Sequence, residues 1–173
     1  MTGTTDSLYF LADPYREVTF LEAPEVPTVV NTVADHPMSE MAEVFDSTFT
    51  ALFPSLGTQG IQPVGPAFSL HTRMPAETVD MEVGVPVDRP LTEAISTDSG
   101  VTLRPSKLPS GRIAIMSYFG PYDGIGAGWE RLMQSIADAG HQPGLPLWEI
   151  YTTEPSPDID PATLRTDLVV LTV

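Results

Sequence analysis

The chain has 173 residues, enough for one domain that buries roughly 70% of its unfolded surface. Its 23 Asp and Glu against 8 Lys and Arg give a formal charge of -15, with Lys107 the single lysine; this excludes the basic patch a nucleic-acid partner needs and favours cationic ligands. There is no cysteine, so disulfides and thiolate chemistry are excluded, and no apolar run approaches the roughly 18 residues of a membrane-spanning helix.

The first ten residues, MTGTTDSLYF, lack the basic and apolar regions of a secretion signal, so a cytoplasmic protein without a membrane partner is expected. Residues 1–16 are polar and irregular and are read as a lead-in to a single domain over 17–173. Val18 to Leu21 and Pro27 to Val33 are rich in β-branched residues but interrupted by prolines, which predicts an edge strand broken by a bulge. Asp35-His36-Pro37 reads as a helix start, with Asp35 or Ser39 as cap. From there Met41, Val44, Phe45, Phe49, Leu52, Phe53 and Leu56 recur at helical spacing, with Pro54 expected to kink or end the helix and Gly57 and Gly60 to stop it.

Strands are predicted over Ala67 to Thr72 and Val79 to Val87, followed by a polar connection at 88–100. The second half follows the same plan. Val101-Thr102-Leu103 echoes Val18-Thr19-Phe20, and Arg112 to Ser117 echoes Thr28 to Val33. A second helix opens at Gly120-Pro121-Tyr122-Asp123, carries Ile125, Trp129, Leu132, Met133 and Ile136 on its apolar face, and is capped by Gly140. Strands follow at Leu147 to Thr152 and Arg165 to Val173, around a Pro-rich loop at Thr153 to Thr163.

The clearest internal match is between GIQPVGPAFSLH at 60–71 and GHQPGLPLWEIY at 140–151, where Gly60/Gly140, Gln62/Gln142, Pro63/Pro143, Pro66/Pro146 and Phe68/Trp148 lie 80 positions apart. The expected fold is therefore α+β: two β-α-β-β repeats, at 17–87 and 101–173, related by a pseudo-two-fold axis, with an antiparallel sheet and one long helix per repeat.

The paired units, the stretch Tyr118-Phe119-Gly120-Pro121-Tyr122-Asp123-Gly124 and the strand Pro146-Leu147-Trp148-Glu149-Ile150-Tyr151-Thr152 resemble the GyrI-like small-molecule-binding domains. These are similar to the effector-binding domains of MerR-type and AraC-type multidrug-responsive regulators and, more distantly, to SOUL-type haem-binding proteins. The resemblance spans about residues 16–173. It implies a ligand cleft between the halves, lined by aromatics, with a glutamate after the second helix facing the ligand, and Glu149 stands at that position. Regulators of this kind carry a helix-turn-helix unit in front, where this sequence has about 16 residues. The resemblance therefore implies a stand-alone binding protein that does not contact nucleic acid directly.

Side chains alternate along a strand, so Leu147, Glu149 and Tyr151 share one face and Trp148 and Ile150 the other. Two large apolar residues suit the helix-packed face, which predicts Glu149 and Tyr151 on the opposite, concave side together with Ser69 and His71. A carboxylate walled by rings loses solvation, which raises its pKa unless a cation or donor compensates. Tyr118, Tyr122 and Tyr151 are the rings expected to add cation-π attraction of roughly 0.5–2 kcal/mol each. Glu82 is a candidate second acid, Trp148 a candidate wall, and Trp129 and Phe68 read as core.

Gly124-Ile125-Gly126-Ala127-Gly128 lacks the sixth-position glycine of a dinucleotide fingerprint, because Trp129 stands there. His36, His71 and His141 have no metal-ligand spacing, so no metal or other cofactor is expected. The leading expectation is a binding protein for hydrophobic, including cationic, small molecules. The alternative is a hydrolase of cyclopropane-containing electrophilic natural products, an activity the resemblance includes, in which Glu149 activates water and Tyr122 or Tyr151 donates to the developing anion. A third reading is a protein-binding adaptor, as for the gyrase-acting member that names the family.

Overall fold

The computed structural model describes residues 13–153 and 158–173. Its strands are β1 (Thr19–Ala23), β2 (Val26–Pro37), β3 (Phe68–His71), β4 (Thr78–Pro86), β5 (Ile95–Ser96), β6 (Thr102–Leu108), β7 (Gly111–Phe119), β8 (Pro143–Tyr151) and β9 (Arg165–Thr172). The helices are α1 (Met41–Gln59), between β2 and β3, and α2 (Ile125–Asp138), between β7 and β8. All strand pairs are antiparallel, in the order β1-β7-β9-β8-β3-β4-β2-β6-β5. This is an α+β fold, in which strand, helix, strand, strand occurs as β2-α1-β3-β4 and again as β7-α2-β8-β9.

Both helices lie on one face of the sheet. Helix α1 buries Val44, Ala51, Leu52 and Leu56 against Val29, Val79, Met81, Val83 and Val85 of β2 and β4. Helix α2 buries Leu132 and Ile136 against Ala114, Met116, Leu147, Leu168 and Val170 of β7, β8 and β9. The other face has its own core, with no helical residue: Val26, Val30, Phe68, Leu70, Ile113, Ile115, Trp148, Ile150 and Val169. Strands from both flanks contribute to it, so the sheet curves around this cluster. Each fully buried Leu, Ile or Phe in these cores contributes about 1.5–3 kcal/mol.

Several expectations change at this level. Asp35-His36-Pro37 is the end of β2, paired with β4 through His36↔Val79 and Pro37↔Thr78 beyond a register shift. Pro37 stays extended (ψ 128°), and α1 starts at Met41 after a single 3-10 turn at Met38–Glu40. Pro54 neither ends the helix nor caps it; α1 continues to Gln59, and the left-handed Gly60 (φ 66°) receives the chain there. Strand β2 is not at an edge, since it lies between β4 and β6 and holds Pro27 opposite Lys107.

The lead-in expected at 1–16 lies partly outside the described residues, but Tyr15 is buried in the helix-free core, and its N–H donates to Ser117 Oγ at 2.8 Å. Ser117 in turn donates to the fully buried Asp167 at 2.6 Å, which Arg165 also holds at 2.9 Å. Part of the Pro-rich loop at Thr153 to Thr163, residues 154–157, lies outside the described residues as well. No helix among the described residues is long and apolar enough to cross a membrane.

Candidate ligand-binding site

The face assignment expected for β8 is reversed. Trp148 and Ile150 belong to the helix-free core, whereas Leu147, with Glu149 and Tyr151 alternating beside it, lies under the helices. Trp148 and Phe68 are the two largest fully buried side chains of the core inside the curved sheet. The helices instead cover a face that holds polar side chains near its centre.

Strands β3 and β8 meet there in the register Ser69↔Glu149 and His71↔Leu147. The two positions that match in the internal comparison are thus direct cross-strand neighbours, whose Cβ atoms lie about 4.5–5.5 Å apart. Tyr151 donates its hydroxyl to Glu149 Oε1 at 2.7 Å. A second 2.7 Å contact joins the Tyr151 hydroxyl to Ser69 Oγ. Since Tyr151 has one proton and gives it to Glu149, Ser69 is the donor in that contact. Glu149 Oε2 accepts the indole N–H of Trp129 from α2, also at 2.7 Å. Both carboxylate oxygens are therefore held by ring donors.

Burial raises the Glu149 pKa above the usual carboxylate range, and the Trp129 and Tyr151 hydrogen bonds oppose that rise without cancelling it. Among the described residues no Lys, Arg or His forms a salt bridge with this carboxylate. Burial, with the charge of Glu149 beside it, pushes the Tyr151 hydroxyl well above its ordinary value. Tyr122 moves the same way for the same two reasons. Its ring meets Tyr151 edge-on at 5.8 Å and is 39% exposed, so it stands at the mouth of the site. On the other side Phe45 of α1 meets Tyr151 edge-on at 5.5 Å.

Tyr118 does something other than line this cluster. It donates its hydroxyl to the Pro121 carbonyl at 2.8 Å and lies under the start of α2. A Cβ at Gly128 would come within 2.8 Å of the Tyr118 ring and 3.2 Å of Leu168, so glycine there lets α2 approach the sheet. That approach brings Trp129 within reach of Glu149. His71 shares the site's face but is buried beside Leu147, with no hydrogen-bond partner at Nδ1 among the described residues. Burial, reinforced by the nearby Arg73 charge, lowers its pKa to about 4, so it is neutral at pH 7. Glu82 pairs with Leu70 and Thr32 and projects to the face opposite Glu149, where Ser106 donates to it at 2.7 Å. Neither Glu82 nor Trp148 is brought to the Glu149 cluster.

A groove of about 550 Å³ runs beside it, between α2 and the β3–β4 turn. Met74, Pro75, Trp129, Met133, Ala137 and Leu147 give it an apolar lining, with Glu130 and Gln134 at the rim. Trp129 is common to both features: its indole walls the groove and its N–H holds Glu149. Sequence reasoning placed Trp129 in the core because it lies on the apolar stripe of α2. Its one available signal was the indole N–H, which needs a partner when buried. Among the described residues no group of three or more His, Asp or Glu is arranged to hold a metal ion.

A family model for the GyrI-like small molecule binding domain matches residues 16–171. No curated protein sequence matches the chain. Among solved structures, the EcmrR C-terminal domain has a TM-score of 0.70 at 16% identity, over 91% of this chain and 97% of that one. EcmrR in its DNA complex has a TM-score of 0.67 at 17% identity over 90% of this chain, which spans 57% of the EcmrR chain there. A hydrolase from Listeria innocua has a TM-score of 0.67 at 12% identity, covering 99% and 98%. SAV2435 bound to tetraphenylphosphonium has a TM-score of 0.60 at 10% identity, covering 91% and 94%. At these identities the likeness is one of fold.

Proposed function

The chain belongs to the GyrI-like small-molecule-binding domain family, and on that footing we propose that it binds hydrophobic organic cations, with Glu149 as their counter-charge. One observation carries this reading: a partly buried carboxylate that two ring donors orient and that no Lys, Arg or His among the described residues neutralises. A partly buried charge without an opposite partner is costly, and a bound cation offsets that cost. Tyr151, Tyr122 and Phe45 supply ring surface around it, and the groove walled by Trp129 and Leu147 supplies apolar volume of ligand size. The formal charge of -15 enriches cations near the surface. The tetraphenylphosphonium bound to SAV2435, which shares the fold, is a hydrophobic cation of this class.

Titration of a lipophilic cationic dye against wild type and Glu149→Gln tests the assignment. Weaker binding by the variant is the expected result, and equal affinity removes Glu149 from the role.

A hydrolase reading rests on the same residues. Its support is the raised pKa of Glu149, which makes it a stronger base than an exposed carboxylate, beside the Tyr151 hydroxyl. A hydrolase from Listeria innocua shares the fold. Incubation with cyclopropane-containing electrophiles, followed by mass spectrometry, separates the readings: ring-opened product that is lost in Glu149→Gln favours catalysis, and unchanged electrophile across a panel favours binding alone.

A further inference from the structure

Three phenylalanines of α1 stand in line with Tyr151. Phe45, Phe49 and Phe53 follow one another at four-residue spacing and so share a stripe of the helix. Phe45 meets Tyr151 at 5.5 Å, Phe49 stacks on Phe45 at 6.3 Å, and Phe53 stacks on Phe49 at 5.9 Å. The rings form an unbroken ladder from the hydroxyl that holds Glu149 to the protein surface. Eight residues of helix separate Phe45 from Phe53, so the phenylalanine part of the ladder is about 12 Å long.

Core packing accounts for only part of this ladder. The contacts that hold α1 to the sheet are made by the buried Val44, Ala51, Leu52 and Leu56, with Phe45 partly buried against the same core. Phe49 is partly buried beside them, whereas Phe53 is 48% exposed. The stripe thus ends in a ring that is half in water and already stacked on one side.

We infer that the stripe from Phe45 to Phe53 is a second subsite, which takes the flat aryl arm of an elongated organic cation whose charged end lies at Glu149. This rests on the assignment of Glu149 as counter-charge. Continuity is the first argument for such an occupant: the ladder runs without a gap into Tyr151, so one molecule spans both features. Charge is the second. Helix α1 carries Glu43 and Asp46 and no Lys or Arg, which suits a cation, and a formal charge of -15 opposes burial of this face against a second copy of the chain.

The test compares two probes with the same head: trimethyl(phenyl)ammonium and a trimethylammonium carrying a linear terphenyl arm. Each is titrated calorimetrically against the full chain, Phe53→Ser, Phe53→Tyr and Glu149→Gln, with thermal melts to establish that the variants are folded. Phe53 is exposed, so Phe53→Ser is expected to fold. The terphenyl probe binds Phe53→Ser about five- to tenfold more weakly than wild type, as the loss of one aromatic pair dictates. The phenyl probe does not distinguish the two, and Phe53→Tyr, which keeps the ring, binds both as wild type does. Equal effects on both probes, or none on either, overturn the subsite. If Glu149→Gln weakens both probes while Phe53→Ser affects neither, the subsite alone falls. If wild type binds neither probe, or Glu149→Gln binds both as wild type does, the counter-charge reading falls with it. Sedimentation of the same samples covers the remaining occupant: a wild-type dimer that Phe53→Ser converts to monomer, with both probes unaffected, assigns the stripe to a second copy and overturns the proposal.

Discussion

Trp129 of α2 donates its indole N–H to Glu149 of β8 at 2.7 Å, so the helix and the sheet are joined at the partly buried carboxylate. The bond has two effects. It holds one carboxylate oxygen in a fixed direction, and it lowers the cost of charge at a site where burial raises the pKa.

Trp129→Phe keeps the ring as a wall and deletes the donor. The Glu149 pKa is then expected to rise further, because the largest opposing hydrogen bond is gone. If Glu149 is the counter-charge, a cation binds its ionised form, so affinity falls as pH drops through that pKa. In a dye titration across pH, the variant should lose affinity at a higher pH than wild type. At alkaline pH, where Glu149 is ionised in both proteins, the difference in affinity is expected to narrow.

The neutral His71 predicts a pH dependence of stability. Its folded pKa is about 4, below the unfolded value of 6.5. Above pH 6.5 both states are neutral there and stability is unaffected. As pH falls from 6.5 towards 4 the unfolded chain takes up the proton first, and stability is lost, by up to about 3 kcal/mol. His71→Leu removes this dependence. The difference in melting temperature between variant and wild type should therefore grow in favour of the variant between pH 7 and pH 4.5, and a constant difference would contradict the assignment.

Gly128→Ala probes how closely α2 must approach the sheet. The added Cβ would meet the Tyr118 ring at 2.8 Å and Leu168 at 3.2 Å, so the helix or the ring must shift. Overpacking of this kind costs about 1–3 kcal/mol, against a gain of up to about 1 kcal/mol in helix propensity. Urea denaturation should show a net loss of stability. Dye affinity should fall as well, because the next residue, Trp129, is carried away from Glu149.

The α+β class and the order strand, helix, strand, strand were legible because hydrophobic period, Gly and Pro punctuation and the 80-residue match between GIQPVGPAFSLH and GHQPGLPLWEIY all point the same way. That match also brought out Ser69 and Glu149, which stand opposite each other in the β3–β8 register. The orientation of β8 was not legible. Alternation separates Trp148 from Glu149, but it does not say which face the helices cover. The rule that large apolar side chains face the helices fails because the sheet curves around a second core that Trp148 and Phe68 fill. Trp129 and Phe45 read as packing residues in the sequence because a ring on an apolar stripe looks the same whether it faces a core or a carboxylate. Asp35-His36-Pro37 resembled a capped helix start, and cross-strand pairing to Thr78 and Val79 overrode that local signal.

The central claim is that Glu149 exists as a carboxylate for a bound cation. Side-chain 13C NMR of glutamate-labelled protein, assigned with Glu149→Gln, measures the Glu149 titration midpoint directly, with and without saturating tetraphenylphosphonium. The midpoint in the free protein should lie above that of an exposed glutamate, and the cation should move it down, because a ligand that prefers the ionised form must stabilise it. A midpoint that the cation leaves in place would contradict the claim.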